Sequence, residues 1–196
     1  TKVFIDKKKN VWLGSWNEGI YFLKYGSNQF INYNTKNSSG IVSDHIMAIA
    51  EDSRGVIWIG TFSKGLHYFD PKEGKFHHCN TKPFQVNGEM HSDVRTVLVD
   101  SDDVIWVGST TGLFKVMTND FINFSVTSFR DKMSEKLKNH KSTHTINTLY
   151  QAKNKEIWIG TDGAGLFSYN KKNDVLQWYI NYNGFLEKSV ASIIES

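Results

Sequence analysis

The sequence predicts an all-β fold, a partial β-propeller of four four-stranded blades plus the first strand of a fifth. Three observations carry that expectation. A segment of the form aliphatic-Trp-aliphatic-Gly-Ser/Thr, closed shortly afterwards by Gly and an aliphatic residue, occurs four times: Val11-Trp12-Leu13-Gly14-Ser15 with Gly19-Ile20, Ile57-Trp58-Ile59-Gly60-Thr61 with Gly65-Leu66, Ile105-Trp106-Val107-Gly108-Ser109 with Gly112-Leu113, and Ile157-Trp158-Ile159-Gly160-Thr161 with Gly165-Leu166. The tryptophans stand 46, 48 and 52 residues apart (12 to 58, 58 to 106, 106 to 158), at or just above the periods typical of stacked repeats and propeller blades. Short β-branched and aromatic runs alternate with polar turns, and the Trp-centred strings lack the three-and-four apolar spacing of helical solenoids.

The second copy justifies the elements one by one. His45 to Glu51 is strand a, ended by Asp52-Ser53-Arg54-Gly55, a turn with Asp first and Gly last. Val56 to Thr61 is strand b, dense enough in β-branched and aromatic residues to be buried on both faces. Gly65 permits backbone angles that other residues avoid, and Leu66 to Asp70 follows as strand c. Pro71-Lys72-Glu73-Gly74 turns the chain into strand d, Lys75 to Cys79.

The other copies repeat the plan. The first continues through Tyr21-Phe22-Leu23 and Gln29 to Tyr33. In the third, Asp100 to Asp103 make the a–b turn and Phe121-Ile122-Asn123-Phe124 is expected as strand d. The fourth has Gly165 to Tyr169 and Val175 to Tyr179. The blades then occupy about residues 1–40, 41–90, 91–142 and 143–185, and about 186–196 opens a fifth. Thr1 to Asp6 reads as the tail of a strand and Ser189 to Ser196 as the start of another copy, so a fragment of a larger protein is expected. An open ring of this kind would expose a blade face and favour self-association, with a homodimer as one form. The connections Asn34–Asp44, Asn80–Asp93 and Ser125–His144 diverge between copies. In the last, Ser128 is expected to cap a short helix, with Asp131 three residues on and Phe129, Met133 and Leu137 along one face.

Composition excludes several function classes. A net charge of +3 from 23 basic and 20 acidic residues is too mild to suggest nucleic acid or an anionic membrane as partner. Cys79 is the single cysteine, which rules out an internal disulfide. No apolar stretch is long enough to span a bilayer. There is no nucleophile signature and no phosphate-cradling glycine loop, so no catalytic residue, metal or other cofactor is expected.

The four strings resemble the two-component regulator propeller repeat, whose pattern is Asp, a Gly-containing turn, Trp, Gly, Thr or Ser, and Gly-Leu. Glu51 to Thr61 with Gly65-Leu66 matches nearly every place. Ala152 in place of the turn aspartate, Lys9 and Lys155 at or beside the turn glycine, and the shorter loop before Gly112 depart from it. The resemblance implies the exported, periplasmic sensor region of a two-component, often hybrid, histidine kinase of the Bacteroidetes type. It implies about seven blades in the full ring, an oligosaccharide as a common signal, and a kinase elsewhere in the parent. A protein-interaction scaffold is the alternative, and a propeller lyase or hydrolase a third.

Internal repetition separates scaffold from site. Positions shared by every copy serve the blade, since a ligand bound once need not be matched four times. Trp12, Trp58, Trp106 and Trp158, with Gly14, Gly60, Gly108 and Gly160, are therefore assigned to the core. The b–c loops and d–a connections collect at one end of each blade, and they vary. Trp16, Phe62, Thr110 and Asp162 are equivalent, followed by Asn17-Glu18, Ser63-Lys64, Thr111 and Gly163-Ala164. The candidate ligand-binding set is Trp16, Asn17, Glu18, His45, Phe62, Lys64 and Asp162, because pyranose rings stack on aromatic faces while amides and carboxylates bind hydroxyls. Against this, Trp16 and Phe62 could simply cap their own blades. His144 is a further hydrogen-bonding candidate near strand a, His77-His78-Cys79 reads as an ordinary outer strand, and Asp102-Asp103 as a turn. Arg130, Lys132, Lys136, Lys138 and Lys141 form a basic patch suited either to an anionic sugar or to solvent.

Overall fold

The computed structural model describes residues 2–79, 93–121, 123–138, 144–179 and 189–195. Within them four antiparallel sheets form, each running in sequence order. The first contains β1 (Lys2–Ile5), β2 (Val11–Gly14), β3 (Ile20–Leu23) and β4 (Phe30–Tyr33). The second contains β5 (Ile46–Glu51), β6 (Ile57–Thr61), β7 (Gly65–Asp70) and β8 (Lys75–His78). The third contains β9 (Val94–Val99), β10 (Ile105–Ser109), β11 (Gly112–Met117) and β12 (Ser125–Ser128), and the fourth β13 (Ile146–Gln151), β14 (Ile157–Thr161), β15 (Leu166–Asn170) and β16 (Val175–Tyr179). These are the four blades. The chain divides into two compact units, residues 1–99 and 100–196, with the division just after β9.

In the first unit the a–b turns show why Asp and Trp recur six residues apart. Asp6 Oδ1 accepts the backbone N–H groups of Lys8 and Asn10 at 3.0 and 2.8 Å, while Oδ2 accepts Trp12 Nε1–H at 3.0 Å. Asp52 does the same for Arg54, Val56 and Trp58 at 2.9, 3.0 and 3.3 Å. One carboxylate thus shapes the turn and satisfies the indole donor that burial would otherwise strand. Trp12 and Trp58 can then be buried to 2% and 0% exposure. Burial of each indole is worth roughly 4–6 kcal/mol before entropy is charged against it.

The repeated glycines set the blade-to-blade spacing. A Cβ on Gly14 would lie 2.6 Å from Ile46 Cγ2, and one on Gly60 would lie 2.7 Å from the Val94 carbonyl oxygen. Strand a of the following copy therefore rests directly on the glycine of strand b. β5 accordingly packs against β1, β2 and β9. The core joins Trp12, Ile20, Ile46, Ile57, Ile59 and Phe76, with Phe22 and Phe69 packed against it. Val3 and Ile5 of β1 remain 67% and 63% exposed.

The second unit repeats the frame. Asp100 accepts the N–H groups of Asp102 and Val104 at 2.8 and 3.1 Å and the Trp106 indole at 2.8 Å. Ala152 offers no carboxylate to the fourth blade, where Trp158 is only half-buried and stacks on Tyr179 with centroids 5.3 Å apart. Helix α1 (Arg130–Lys136) buries Met133, with flanking Phe129 and Leu137 also buried.

Three expectations are corrected here. Strand d of the third blade is Ser125–Ser128, not Phe121–Phe124: the c–d turn is longer, with Phe121 at a positive φ of 59° and Asp120 accepting the Asn123 N–H at 2.8 Å. Ile122 lies outside the described residues. Ser128 ends that strand, so the helix begins from Phe129 without a side-chain cap, although Ser128 Oγ accepts the Arg130 N–H at 3.2 Å. The opening of the fifth copy is docked but not a strand. Val190 N–H donates to the Thr161 carbonyl at 2.9 Å, as Ile46 donates to Ser15 at 2.8 Å, and a Cβ on Gly160 would lie 2.8 Å from Val190 Cγ1. Among the described residues its pairing is the single bridge from Ser189 to Asp162. Among the described residues no helix is long and apolar enough to cross a membrane.

Candidate functional site

The b–c loop of the first blade is closed by its own side chains. Ser15 Oγ donates to the Gly19 carbonyl at 2.9 Å and accepts the Glu18 N–H at 2.7 Å. Gly19, at φ 74°, donates its N–H to the Asp44 carbonyl at 2.9 Å, and Phe62 N–H donates to the His45 carbonyl at 3.0 Å. The d–a connection is therefore stitched to the b–c loops of both blades. That stitching brings three rings together.

Trp16 lies 5.1 Å from His45 and 5.5 Å from Phe62, centroid to centroid, and His45 stacks on Phe62 at 5.9 Å and 26°. Trp16 is 50% and Phe62 38% exposed, so two large aromatic faces stay open to water at a position fixed by backbone hydrogen bonds. His45 Nδ1 is buried with no hydrogen-bond partner among the described residues. An open aromatic surface beside an unsatisfied polar atom is poorly explained by packing alone.

Beside Trp16 in sequence, a polar cleft of about 170 Å³ is lined by Asn17, Glu18, Tyr21, Asn32, Asn34, Lys36 and Asp44. Its groups hold one another in place. The Tyr21 hydroxyl donates to the Glu18 carboxylate, and that bond raises the phenol pKa. Asn32 Nδ2 donates to the Glu18 carbonyl at 2.7 Å, and Asp44 accepts the Thr35 N–H and hydroxyl at 2.7 and 2.8 Å. Asn17 and Lys36 are exposed. Such a cleft offers donors and acceptors at several angles, the requirement for binding hydroxyl groups.

Of the seven residues singled out from the sequence, Trp16, His45 and Phe62 form the aromatic cluster, and Asn17 and Glu18 line the cleft beside it. Lys64 is exposed on the neighbouring loop, where its carbonyl oxygen lies 2.9 Å from His78 Nε2. Asp162 belongs to the second unit. Its carboxylate accepts the Ser189 hydroxyl at 2.5 Å and its N–H donates to the Thr145 carbonyl at 2.9 Å, so it is engaged in holding the chain. Sequence reasoning missed Tyr21, Asn32, Asn34, Lys36 and Asp44. The available signal was the cross-strand pair Tyr21 and Asn32, where the fourth blade pairs Phe167 with Trp178.

The weaker candidates sit elsewhere. His77 pairs with Glu73 at 3.1 Å and stacks on Tyr68, His78 stacks on His67 at 4.5 Å, and Cys79 is buried with its thiol pKa pushed up by that burial. Among the described residues no group of three or more His, Cys, Asp or Glu could hold a metal. His144 Nε2 lies 2.9 Å from Ser134 Oγ. In the basic patch Lys132 pairs with Asp174 at 2.5 Å, and Lys141 lies outside the described residues.

The comparisons with known proteins agree on the architecture. The chain matches the family model described as two component regulator propeller over residues 40–63 and 141–163. Among solved structures it is similar to an extracellular domain described as that of a hybrid two component system from B. thetaiotaomicron, with TM-score 0.75 and 19% identity over 100% of this chain and 24% of that one. A second such domain from B. thetaiotaomicron gives 0.72 and 20% over 96% and 23%. Virginiamycin B lyase from Staphylococcus aureus gives 0.62 and 11% over 90% and 54%. No curated protein matches the chain. The chain thus spans about a quarter of the length of the extracellular domains it resembles. The matched family segments fall in the second and fourth blades, and the first and third carry the same Trp-Gly strand.

Proposed function

We propose that this chain is a ligand-sensing segment of the exported, periplasmic region of a two-component signalling protein, with the phosphotransfer machinery elsewhere in the parent. The ligand is an oligosaccharide, recognised on the rim of the first two blades. One observation carries this reading: Trp16 and Phe62 present open faces around His45, beside a cleft of amides, carboxylates and a phenol. A pyranose has the matching two-sided chemistry, with C–H groups for the ring face and hydroxyls for the cleft. Likeness to extracellular domains of hybrid two component systems supports export and sensing. The exposed Val3 and Ile5 edge fits contact with further blades of the parent, or with a second copy of this chain. Nothing in this reading asks the chain for catalysis.

Calorimetric titration of the full-length protein against a panel of neutral and anionic oligosaccharides tests it. Binding of one glycan class is expected, with Trp16→Ala or Phe62→Ala weakening it by about 1.4–2.8 kcal/mol, or roughly ten- to a hundredfold. No heat with any glycan, combined with loss of a protein partner in the same two variants, would assign the rim to protein interaction instead.

A further inference from the structure

We propose that the seam between the first and second blades, at the end bearing the a–b and c–d turns, is a binding site for a primary ammonium group, seated against Asp6. The motive is a comparison of equivalent seams within the molecule. In the second unit Lys171, the first residue after strand β15, reaches back to Asp100. Its ammonium donates to Asp100 Oδ2 at 2.6 Å, the oxygen that also receives the Trp106 indole, and to Asp102 at 2.6 Å. Within the second blade Arg54 gives Asp52 the same service, pairing with Oδ2 at 2.6 Å. Each of these two buried carboxylates carries a cation.

Among the described residues Asp6 carries none. It is 8% exposed, and the donors to its Oδ2 among those residues are the neutral Asn10 Nδ2 at 2.8 Å and Trp12 Nε1 at 3.0 Å. The register makes Phe69 the counterpart of Tyr169, since each faces the isoleucine before the blade tryptophan, and Pro71 the counterpart of Lys171. Proline has no ammonium to send back. What remains is a cavity of about 440 Å³ bounded by Asp6, Trp12, Phe22, Phe69, Glu51 and Pro71.

Its walls suit an alkylammonium. Trp12 lies 4.5 Å from Phe22 and 5.3 Å from Phe69, an aromatic enclosure that favours both the methylene stem and the charge. Asp6 Oδ2 can take a third donor, as Asp52 Oδ2 does from Arg54 Nε, Arg54 Nη2 and Trp58 Nε1. An ammonium donor there would add a full ion pair to bonds whose donors are uncharged N–H groups. Lys8 and Lys24 also line the cavity, but both are exposed and neither pairs with Asp6 among the described residues.

The test titrates full-length protein with n-butylammonium chloride while following the Trp12 and Trp106 indole N–H resonances. Sodium chloride and 1-butanol serve as controls for ionic strength and apolar filling. A saturable shift of Trp12 alone is expected, absent with butanol. Pro71→Lys should supply the cation internally, weakening butylammonium binding by about tenfold or more. Asp6→Asn should abolish it, with unchanged Trp58 and Trp106 resonances showing that the fold survives. Tighter binding of acetyl-Gly-Lys-Gly-amide than of butylammonium would make a lysyl side chain the natural occupant; weaker binding would make it a free amine. The proposal is overturned if Trp12 does not shift, if Trp106 shifts equally, if Pro71→Lys leaves binding intact, or if binding appears only after Lys8 and Lys24 are replaced by alanine.

Discussion

Lys9 and Lys155 hold φ of 66° and 68° at the turn position where Gly55 stands at 81° and Asp103 at 60°. The left-handed region costs a non-glycine residue about 1–2 kcal/mol, partly offset because glycine loosens the unfolded chain. Lys155→Gly is therefore expected to stabilise the protein by about 0.5–1 kcal/mol in thermal or urea melts, and a loss of stability would show that the lysine side chain matters more than its backbone. His67 gives a pH-dependent expectation. Burial, with a smaller contribution from His78, pushes its pKa down from 6.5 to about 3. The unfolded chain thus binds a proton that the folded chain refuses between those values, so stability is full above pH 6.5 and falls as pH drops towards 3. The slope is about 1.4 kcal/mol per pH unit well below the unfolded value. His67→Phe copies Phe167 of the fourth blade and should flatten that slope between pH 6 and 4; an unchanged slope would place the titration elsewhere. The residue scale was partly legible. The recurring Asp and Trp were visible in the sequence, but the bond joining them was not, because a hydrogen bond between core and turn leaves no periodic trace.

At the scale of the element, glycine on strand b is the hinge of the packing. Gly60→Ala would drive a methyl to 2.6–2.7 Å from Val94 Cγ1 and O, and backbone cannot yield as a flexible side chain does. A destabilisation of about 1–3 kcal/mol is expected, whereas Gly74→Ala in an open turn should cost less despite its φ of 66°. Equal losses at both positions would deny that strand a rests on Gly60. Strands b and c were legible because β-branched and aromatic residues crowd four aligned segments. Helix α1 was legible from Phe129, Met133 and Leu137, all buried. Strand d of the third blade was not. Phe121 to Phe124 has the better strand composition, yet the Asp120–Asn123 turn claims that stretch and Ser125–Ser128 pairs with β11 instead. Turn geometry overrode propensity.

For the molecule as a whole, repetition separates what every blade needs from what one rim can do. Trp16, His45 and Phe62 differ from their counterparts, and the structure brings them into contact through backbone bonds that the sequence could not show. Asp162 shared their loop position but lies in the second unit, engaged by Ser189, because equivalent loops of different blades meet different neighbours. The polar cleft stayed hidden because Tyr21 and Asn32 come from strands, not from the variable loops. The seam at Asp6 is the converse case: a repeated frame whose carboxylate meets a cation at Asp52 and Asp100 and, among the described residues, none at Asp6. The rim's role is tested most directly by a crystal structure of the full-length protein with its best-binding glycan. A pyranose ring stacked on Trp16 or Phe62, with hydroxyls bonded to Asn17, Glu18 or Tyr21, is expected; a glycan bound away from this rim, with both aromatic faces still open to water, would contradict it.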